Sequence, residues 1–245
     1  TDGGASVFAE TIRKIREKSP ETRVEVLIPD FLGDLQALKT VLAGRPDVLN
    51  HNVETVPRLY GSVRPGADYQ RSIDLLKNAH HINPSIFTKS GLMLGLGERP
   101  EEIQQVLKDL LDVGCSILTM GQYLQPSGKH LRVERFVPPE EFEEWRRKAL
   151  EMGFREAASG PFVRSSYRAH ETYQSLYSTP NSNPSAEPDS LRDKGTQSRQ
   201  AQRHRGPKGQ SGRVFLLCAF ASLSLCLFLC RFVPLCLCTF VPLSR

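Results

Sequence analysis

Two stretches of the chain combine residue types that could hold a ligand. Residues 91–98, Gly-Leu-Met-Leu-Gly-Leu-Gly-Glu, run as an apolar strand into a glycine-rich bend. Because glycine has no Cβ, such a bend lets a ligand approach backbone amides closely, although it is also typical of a tight strand-to-helix turn. In the run that ends at Glu54, strand alternation places Asn52 and Glu54 on one face, where an amide and a carboxylate can form hydrogen bonds.

A third stretch, residues 160–169, carries Arg164, Ser165 and Ser166 after a Gly-Pro pair. The pair predicts a turn, and either serine could cap a short helix from about residue 167 to residue 177. That interpretation needs no ligand. A chemical role for the serines therefore depends on the motifs upstream.

Several single residues have two interpretations. His51 falls on the strand face opposite Asn52, which predicts a core or helix-facing residue rather than a metal ligand. Arg58 and Arg64 could hold an anion or could only solvate a long loop. Lys89 lies on a predicted strand and could be the amine nucleophile of another barrel enzyme, such as an aldolase.

These residues require a scaffold in which strands and helices alternate. Strands are predicted at residues 24–28, 48–54, 87–95 and 116–124, and a shorter run follows at 155–159. The helices between them carry apolar stripes, on Val7, Phe8, Ile12 and Ile15; on Leu35, Leu38 and Leu42; on Tyr69, Ile73, Leu76 and Ala79; on Ile103, Val106, Leu107, Leu110 and Leu111; and on Phe142, Trp145, Ala149 and Met152. Strands separated by helices pair in parallel, so the predicted class is α/β. Polar residues follow several successive strands, which favours a barrel over an open sheet.

The net charge of +5 is unevenly distributed. Nine of the 32 Lys and Arg residues and three of the 27 Asp and Glu residues lie after Tyr177. Residues 1–177 therefore carry 23 basic and 24 acidic residues, so an electrostatic argument for nucleic-acid binding fails there. Cys115 is the one cysteine of this part, which predicts a small buried hydrophobe and an intracellular protein rather than a disulfide framework.

Composition divides the chain into three segments. Residues 1–177 are the patterned domain, and residues 178–213, rich in Ser, Pro, Asn and Gln, are predicted to be a disordered linker. Residues 214–245 form an apolar tail with five cysteines. Its first 17 residues reach the lower limit for crossing a bilayer, so a membrane anchor is one interpretation. The preferred one is an aberrant extension without function, because a tandem Phe-Val-Pro-Leu repeat follows.

Six motifs, in this order, resemble those of one enzyme family. They are Asp2-Gly3-Gly4-Ala5, Val26-Leu27-Ile28-Pro29-Asp30-Phe31, Asn50-His51-Asn52-Val53-Glu54-Thr55-Val56, Thr88-Lys89-Ser90-Gly91-Leu92-Met93-Leu94-Gly95-Leu96-Gly97-Glu98, Gln122-Tyr123-Leu124-Gln125-Pro126-Ser127 and Arg164-Ser165-Ser166-Tyr167. From Asp2 to about Ala169 the sequence resembles the lipoyl synthases, which are radical S-adenosylmethionine enzymes. The resemblance implies an incomplete (β/α) barrel with its amino-terminal strands missing, and as cofactors two 4Fe-4S clusters and S-adenosylmethionine.

The resemblance also implies a reaction and partners. Lipoyl synthases are sulfurtransferases that insert sulfur at C6 and C8 of an octanoyl chain on a lipoyl-carrier protein, with an electron donor such as ferredoxin or flavodoxin. No nucleic-acid or membrane partner is implied. The expected location is cytoplasmic in a bacterium, and mitochondrial or plastid in a eukaryote, and no targeting segment is recognisable in the chain.

Site residues follow from the same resemblance. Ser166 would be the serine ligand of the auxiliary cluster, in a loop supported by Arg164; no catalytic side chain is assigned. The residues implied to contact S-adenosylmethionine are Gly3 and Gly4 at its amino group, Asn52 and Glu54 near its ribose and methionine part, and the segment from Gly91 through Gly95 to Glu98 beside its adenine.

The sequence departs from the family at the clusters. The family's cysteine motifs, C-x4-C-x5-C and C-x3-C-x2-C, precede the Asp-Gly-Gly motif with which this sequence starts, and the tail cysteines, spaced x7, x3, x5 and x1, match neither. We therefore expect the carboxyl-terminal portion of a lipoyl synthase, without its cluster thiolates. The alternatives are an inactive remnant that binds the carrier protein or cofactor, and the aldolase-type enzyme that would use Lys89.

Overall fold

The computed structural model describes residues 2–178 and 214–218. The helices are α1 (Ala5–Lys18), α2 (Leu35–Ala43), α3 (Tyr60–Val63), α4 (Tyr69–Ile82), α5 (Pro100–Asp112), α6 (Pro139–Met152) and α7 (Ala169–Ser178), with 3-10 turns at Phe31–Gly33 and Pro57–Leu59. The strands are β1 (Arg23–Leu27), β2 (Val48–Asn50), β3 (Phe87–Leu94), β4 (Ile117–Gln122), β5 (Glu156–Gly160) and β6 (Val214–Cys218).

Local signals in the sequence explain where the helices begin. The Asp34 carboxylate accepts from the Gln36 and Ala37 amides at the start of α2, and Asp68 accepts from the Arg71 amide at the start of α4. These contacts satisfy amide donors that a first helical turn leaves free. Pro100 opens α5, as predicted.

All six strands are parallel, in the order β5-β4-β3-β2-β1-β6. From β1 to β5 the spatial order is the chain order, without the reversal that defines a switch point in an open sheet. This order is that of a partial (β/α) barrel, so the predicted α/β class and incomplete barrel are confirmed.

The helices bury their apolar stripes against one face of the sheet. The largest fully buried side chains on this outer face include Phe8 and Ile12 of α1, Leu76 of α4, Leu107 of α5 and Phe142 of α6. The stripes were overestimated at two positions, because Val7 is 57% exposed and Leu35 is 42% exposed. Both lie in the first turn of their helix beside buried residues, Phe8 in α1 and Leu38 in α2, so they are on the helix face turned away from the sheet.

The opposite, inner face is covered at one end by α7. Val48 of β2, Ile117 of β4 and Leu176 of α7 form a small buried cluster, against which Phe87 and Tyr173 pack. Arg155 also donates to the Leu176 carbonyl at 3.1 Å. Since Val48, Phe87 and Ile117 open their strands, α7 closes the inner face at the amino ends of the strands.

The structure differs from the predicted elements at three places. The strand predicted over residues 48–54 ends at Asn50; beyond it, Glu54 has a left-handed backbone conformation with φ of 65° and forms an isolated bridge with Leu92 of β3. The last helix begins at Ala169 rather than near residue 167. Within the predicted apolar tail, Val214–Cys218 form a strand beside β1.

Most of the predicted linker and tail, residues 179–213 and 219–245, lie outside the described residues. In the part of the chain that the structure describes, no helix is long and apolar enough to cross a membrane.

Candidate functional site

The segment after β2 stays attached to β3 although regular pairing has ended. The Glu54 amide donates to the Gly91 carbonyl at 2.9 Å, and the Met93 amide donates to the Glu54 carbonyl at 2.8 Å. These two bonds hold Glu54 in its left-handed conformation, which is uncommon for a residue with a side chain. They turn its carboxylate toward Asn52, whose Nδ2 donates to Glu54 Oε1 at 3.1 Å.

Gly91 is the floor of a small polar cradle. A Cβ built on Gly91 would lie 2.7 Å from Asn52 Oδ1 and 2.9 Å from Thr119 Oγ1. Both distances are shorter than a real Cβ contact, so a side chain at position 91 would have to push these polar groups away from the β3 backbone. Asn52 Oδ1 is buried and has no hydrogen-bond partner among the residues that the structure describes. A buried acceptor of this kind costs free energy unless a ligand or water donates to it.

The pKa of the Glu54 carboxyl beside this cradle is subject to two opposing effects. Burial raises the pKa of its half-buried carboxyl, and the positive charges of Arg64 and Arg164 oppose that rise. Arg64 Nη1 donates to the Asn52 carbonyl and to Tyr60 Oη, both at 3.2 Å. Arg64 is therefore an anchor of this segment rather than the anion site that was one interpretation of it.

Arg58 also serves the structure of the site. Its guanidinium pairs with the Glu102 carboxylate at 2.7 Å and donates to the Gly97 carbonyl at 2.8 Å. It thereby ties the 3-10 turn at Pro57–Leu59 to the glycine-rich bend after β3.

The glycine-rich bend is closed by its own glutamate. Glu98 is buried, and its two carboxylate oxygens accept from the Gly95 amide at 2.6 Å and the Leu96 amide at 2.8 Å. Gly95 has a φ of 101°, and a Cβ there would lie 2.3 Å from Gln122 Nε2. Glu98 thus shapes the bend, and Gly95 lets the loop after β4 pack against it.

The Asp-Gly-Gly segment forms a separate turn before α1. Gly3 and Gly4 both have positive φ, of 61° and 89°, and the Asp2 carboxylate accepts from the Gly4 and Ser6 amides. A Cβ on Gly3 would lie 2.9 Å from the Phe31 ring, which follows β1. Helix α1 leads from this turn to the amino end of β1. The turn therefore lies at the end of the sheet that contains the carboxyl ends of the strands.

The segment that carries Ser166 crosses the sheet above β4. A Cβ on Gly121 would lie 2.3 Å from the Val163 carbonyl oxygen and 3.0 Å from Arg164 Nη1. Because Gly121 has no side chain, the chain can pass this close. Ser166 follows on a turn closed by the bond from the Tyr167 amide to the Arg164 carbonyl, at 2.8 Å, and its side chain is exposed.

The sequence-predicted residues are only partly brought together. Asn52, Glu54 and Gly91 are in contact, and the charge of Arg164 acts on Glu54. Thr119 and Gly121 were missed. Both share the inner face of β4, Thr119 opposite Gly91, so alternation along the predicted strand 116–124 was the signal that could have found them.

His51 and Cys115 lie in the core. His51 Nδ1 lies 2.9 Å from the Ile28 carbonyl oxygen and its Nε2 lies 3.0 Å from Ser72 Oγ, which confirms a helix-facing residue. Burial lowers the pKa of His51 to about 4. Burial raises the pKa of the Cys115 thiol to about 12, so no thiolate forms there near neutral pH.

Lys89 is fully buried, with Nζ 3.0 Å from Glu25 Oε1 and 3.2 Å from Oε2. Asn50 Nδ2 donates to the same Glu25 Oε1 at 3.1 Å. A paired ammonium without access to solvent cannot attack a carbonyl substrate, so the aldolase alternative is wrong for this residue.

We tested the described residues against the cofactors that the resemblance implies. Asn52, with its unpartnered Oδ1, Glu54 and the Gly91 cradle fit the polar ribose and amino-acid portions of S-adenosylmethionine. Iron-sulfur clusters do not fit in the same way. Residues 2–178 and 214–218 contain no group of three or more His, Cys, Asp or Glu side chains arranged to hold a metal.

Comparisons with known proteins show which family the chain is similar to. The Radical SAM superfamily matches residues 2–110, which include Gly3, Asn52, Glu54 and Gly91. Lipoyl synthase from Geobacter sp. (strain M21) is 57% identical over 180 residues, covering 74% of this chain and 61% of that protein. This chain is a homologue of the lipoyl synthases, in the radical SAM superfamily.

Other lipoyl synthases match over the same share of the chain. The enzyme from Photobacterium profundum is 58% identical over 176 residues, covering 71% of this chain and 55% of that protein, and the one from Nitrosococcus oceani is 60% identical over 169 residues, covering 69% and 52%. The chain thus spans between about half and three fifths of these relatives.

Among solved structures, the radical S-adenosylmethionine methyltransferase TsrM from Kitasatospora setae is 16% identical with a TM-score of 0.37, covering 48% of this chain and 24% of that one.

Proposed function

We propose that this chain is part of a lipoyl synthase that inserts two sulfur atoms, at C6 and C8, into an octanoyl chain on a lipoyl-carrier protein. The observation that carries the proposal is the identity of 57% over 180 residues with a lipoyl synthase. The octanoylated carrier and an electron donor such as ferredoxin or flavodoxin are the partners that this activity requires.

We assign S-adenosylmethionine to the carboxyl ends of β2 and β3. The unpartnered Asn52 Oδ1 would accept from a ribose hydroxyl or the ammonium group, and Glu54 would accept from the same groups in its ionised form. Bound there, and given an electron from the proposed donor protein, S-adenosylmethionine would supply the hydrogen-abstracting chemistry that sulfur insertion needs, and Asn52, Glu54 and the Gly91 cradle would hold and orient it. Gly3 and Gly4, and the segment from Gly91 through Gly95 to Glu98, complete the proposed contacts.

Polar residues around the proposed cofactor position hold Asn52 and Glu54 in place. Arg64 holds the Asn52 carbonyl and, by its charge, favours ionised Glu54 against the burial that raises its pKa. A ligand that enters the Gly91 cradle displaces water from a region already walled by Thr119 and Asn52. The protein therefore orients the cofactor before any chemistry starts.

Ser166 is the proposed oxygen ligand of an auxiliary 4Fe-4S cluster. Its exposed hydroxyl stands on a turn held over β4, where it can reach a group bound outside the sheet. Oxygen is a harder ligand than thiolate and a poorer match for iron-sulfide, which suits a cluster that must release sulfur. The thiolates for either cluster are not among the described residues, so we derive no step through the clusters.

The test uses a chimera in which the portion of the Geobacter lipoyl synthase preceding its Asp-Gly-Gly motif is joined to Asp2. After anaerobic reconstitution, Ser166→Ala should form 5′-deoxyadenosine from S-adenosylmethionine but little lipoyl product. Ser165→Ala, one residue away, is the matched control and should retain both activities. Equal loss of both products in Ser166→Ala would remove the ligand role, and no lipoyl product from the unmutated chimera would remove the proposed function.

An inactive remnant is the second candidate, favoured by the lack of a thiolate cluster among the described residues. In that case the chimera would bind both clusters and still make no lipoyl product. Binding of octanoylated carrier protein to the 245-residue chain, measured by calorimetry, would then be its remaining activity.

A further inference from the structure

Strand β6 covers the outer edge of β1 along its whole length. Five residue pairs are in parallel register, from Arg23 opposite Val214 to Leu27 opposite Cys218. The other edge of β1 pairs with β2. A segment from the end of the chain therefore completes the hydrogen bonding of the first strand.

The strand order also shows where a strand preceding α1 would lie. From β1 to β5 each strand lies beside its predecessor, on the same side, and the connections run through helices on the outer face. Parallel strands joined through a helix almost always use a right-handed crossover. A strand that fed into α1 would therefore lie beside β1 on the side away from β2, and that place is taken by β6.

An uncovered β1 edge would be unfavourable. Val24 and Val26 of β1 are fully buried, and an open edge beside them would expose unpaired amides and carbonyls that recruit other strands. Val214–Cys218 is an apolar five-residue run, of the kind found in strands buried on both faces. The edge thus favours a parallel, apolar strand, from whichever segment supplies one.

We propose that the outer edge of β1 is a single strand-binding slot with two mutually exclusive occupants. One is Val214–Cys218, and the other is a strand that precedes α1 in a longer version of this chain. When the tail strand is in place, an upstream strand cannot add to the sheet. The proposal concerns the tail and does not depend on the proposed lipoyl synthase activity.

The first test measures occupancy in the 245-residue chain. Cys226, Cys230, Cys236 and Cys238 are replaced by Ser so that Cys218 is the one cysteine left in the tail, while Cys115 is buried. In this background Leu27→Cys should be joined to Cys218 by a short bis-maleimide, because positions 27 and 218 are register partners and neighbouring parallel strands are about 4.8 Å apart. Phe136→Cys, at a position that is 72% exposed and lies before α6, is the control and should give little product.

Two results would contradict the claim that Val214–Cys218 lie beside β1. Equal cross-linking at positions 27 and 136 would mean that the tail has no fixed place, and cross-linking at neither would mean that it does not reach β1. Both yields are read by mass spectrometry of the peptides, so iron content and activity do not enter.

The second test measures exclusion. The Leu27→Cys background is joined to the same upstream portion of the Geobacter relative as above, and hydrogen exchange confirms that the β1 amides remain protected. The yield of the 27 to 218 cross-link should then fall by about tenfold, the effect of a modest bias between two occupants of one slot. An unchanged yield with protected β1 amides would contradict mutual exclusion, whatever the enzymatic activity of the chimera.

Discussion

The two ends of the sheet's inner face are built from opposite kinds of residue. At the amino ends of the strands, Val48, Ile117 and Leu176 form a sealed apolar cluster under α7. At the carboxyl ends, Asn52 and Glu54 surround a glycine and leave a buried acceptor without a partner. The same strands therefore serve stability at one end and ligand contact at the other, the division expected of a barrel.

A buried ion pair separates these two ends. Lys89, Glu25 and Asn50 come from three successive strands, and the Glu25 carboxylate accepts from Lys89 Nζ at 3.0 Å and from Asn50 Nδ2 at 3.1 Å. This layer fixes the register of β1, β2 and β3 beneath the cradle. Breaking the Lys89–Glu25 ion pair should therefore lower the free energy of unfolding more than a change at either end of the sheet.

Lys89→Met should lower the free energy of unfolding by about 3–5 kcal/mol, because it leaves Glu25 charged, buried and unpaired. The double variant Lys89→Met, Glu25→Leu should recover much of that loss, since an apolar pair of similar size often replaces a buried ion pair without penalty. Urea denaturation measures both. A double variant less stable than Lys89→Met would show that the charges contribute beyond their mutual pairing.

Leu176→Ala tests the sealed end and should cost about 2–5 kcal/mol, the range for truncating a buried leucine. The exposed Leu131 provides the control, and Leu131→Ala should change stability by less than about 0.5 kcal/mol. S-adenosylmethionine binding, followed by NMR, should be the same in both folded variants. Weakened binding in Leu176→Ala would mean that the two ends are not independent.

The free energy of unfolding should also depend on pH, because His51, which follows β2, is buried on the helix-facing side of the sheet. The folded pKa of about 4 lies below the ordinary value of 6.5, so the stabilising contribution is complete above pH 6.5 and is lost as pH falls toward 4. Between pH 7.5 and pH 5 the loss is about 2 kcal/mol. It should disappear in His51→Gln and persist in His81→Gln, where the side chain is exposed, when urea denaturation is compared at the two pH values.

Gly91→Ala should weaken S-adenosylmethionine binding by about tenfold, or 1.4 kcal/mol, with a smaller effect on folding. The added Cβ would lie 2.7 Å from Asn52 Oδ1 and would displace the proposed ribose contact. Gly61→Ala is the matched control, because nothing lies within 4 Å of a Cβ there. NMR titration gives the two dissociation constants, and equal values would remove the cradle from the binding site.

Most of the scaffold could be predicted because its signals are local. The Asp68 cap, Pro100 at the start of α5 and the 3.6-residue stripes need only neighbouring residues. The end of β2 could not be predicted in this way. Glu54 is forced into a left-handed conformation by bonds to β3, about 40 residues along the chain, and no local pattern reports such a bond.

The candidate site was predicted in part, chiefly through resemblance. Strand alternation predicted that Asn52 and Glu54 share a face; the two side chains are in contact, but through the left-handed backbone of Glu54 and not through strand alternation. Whether Gly91 lies in a turn or under a ligand depends on two residues distant in sequence, Asn52 from the segment after β2 and Thr119 from β4. The role of Gly121 depends likewise on a segment 42 residues later, so spatial neighbours, not sequence neighbours, decide what these glycines do.

The assignment of the carboxyl ends as the ligand end can be tested on the 245-residue chain by amide chemical shifts during titration with S-adenosylmethionine. If the ligand binds at the carboxyl ends, the amide signals of four residues there should shift together, namely Asn52, Glu54, Gly91 and Thr119. The signals at the opposite end should not shift, namely those of Val48, Ile117 and Leu176. Shifts concentrated on the α7 end, with none at Asn52 or Gly91, would contradict it.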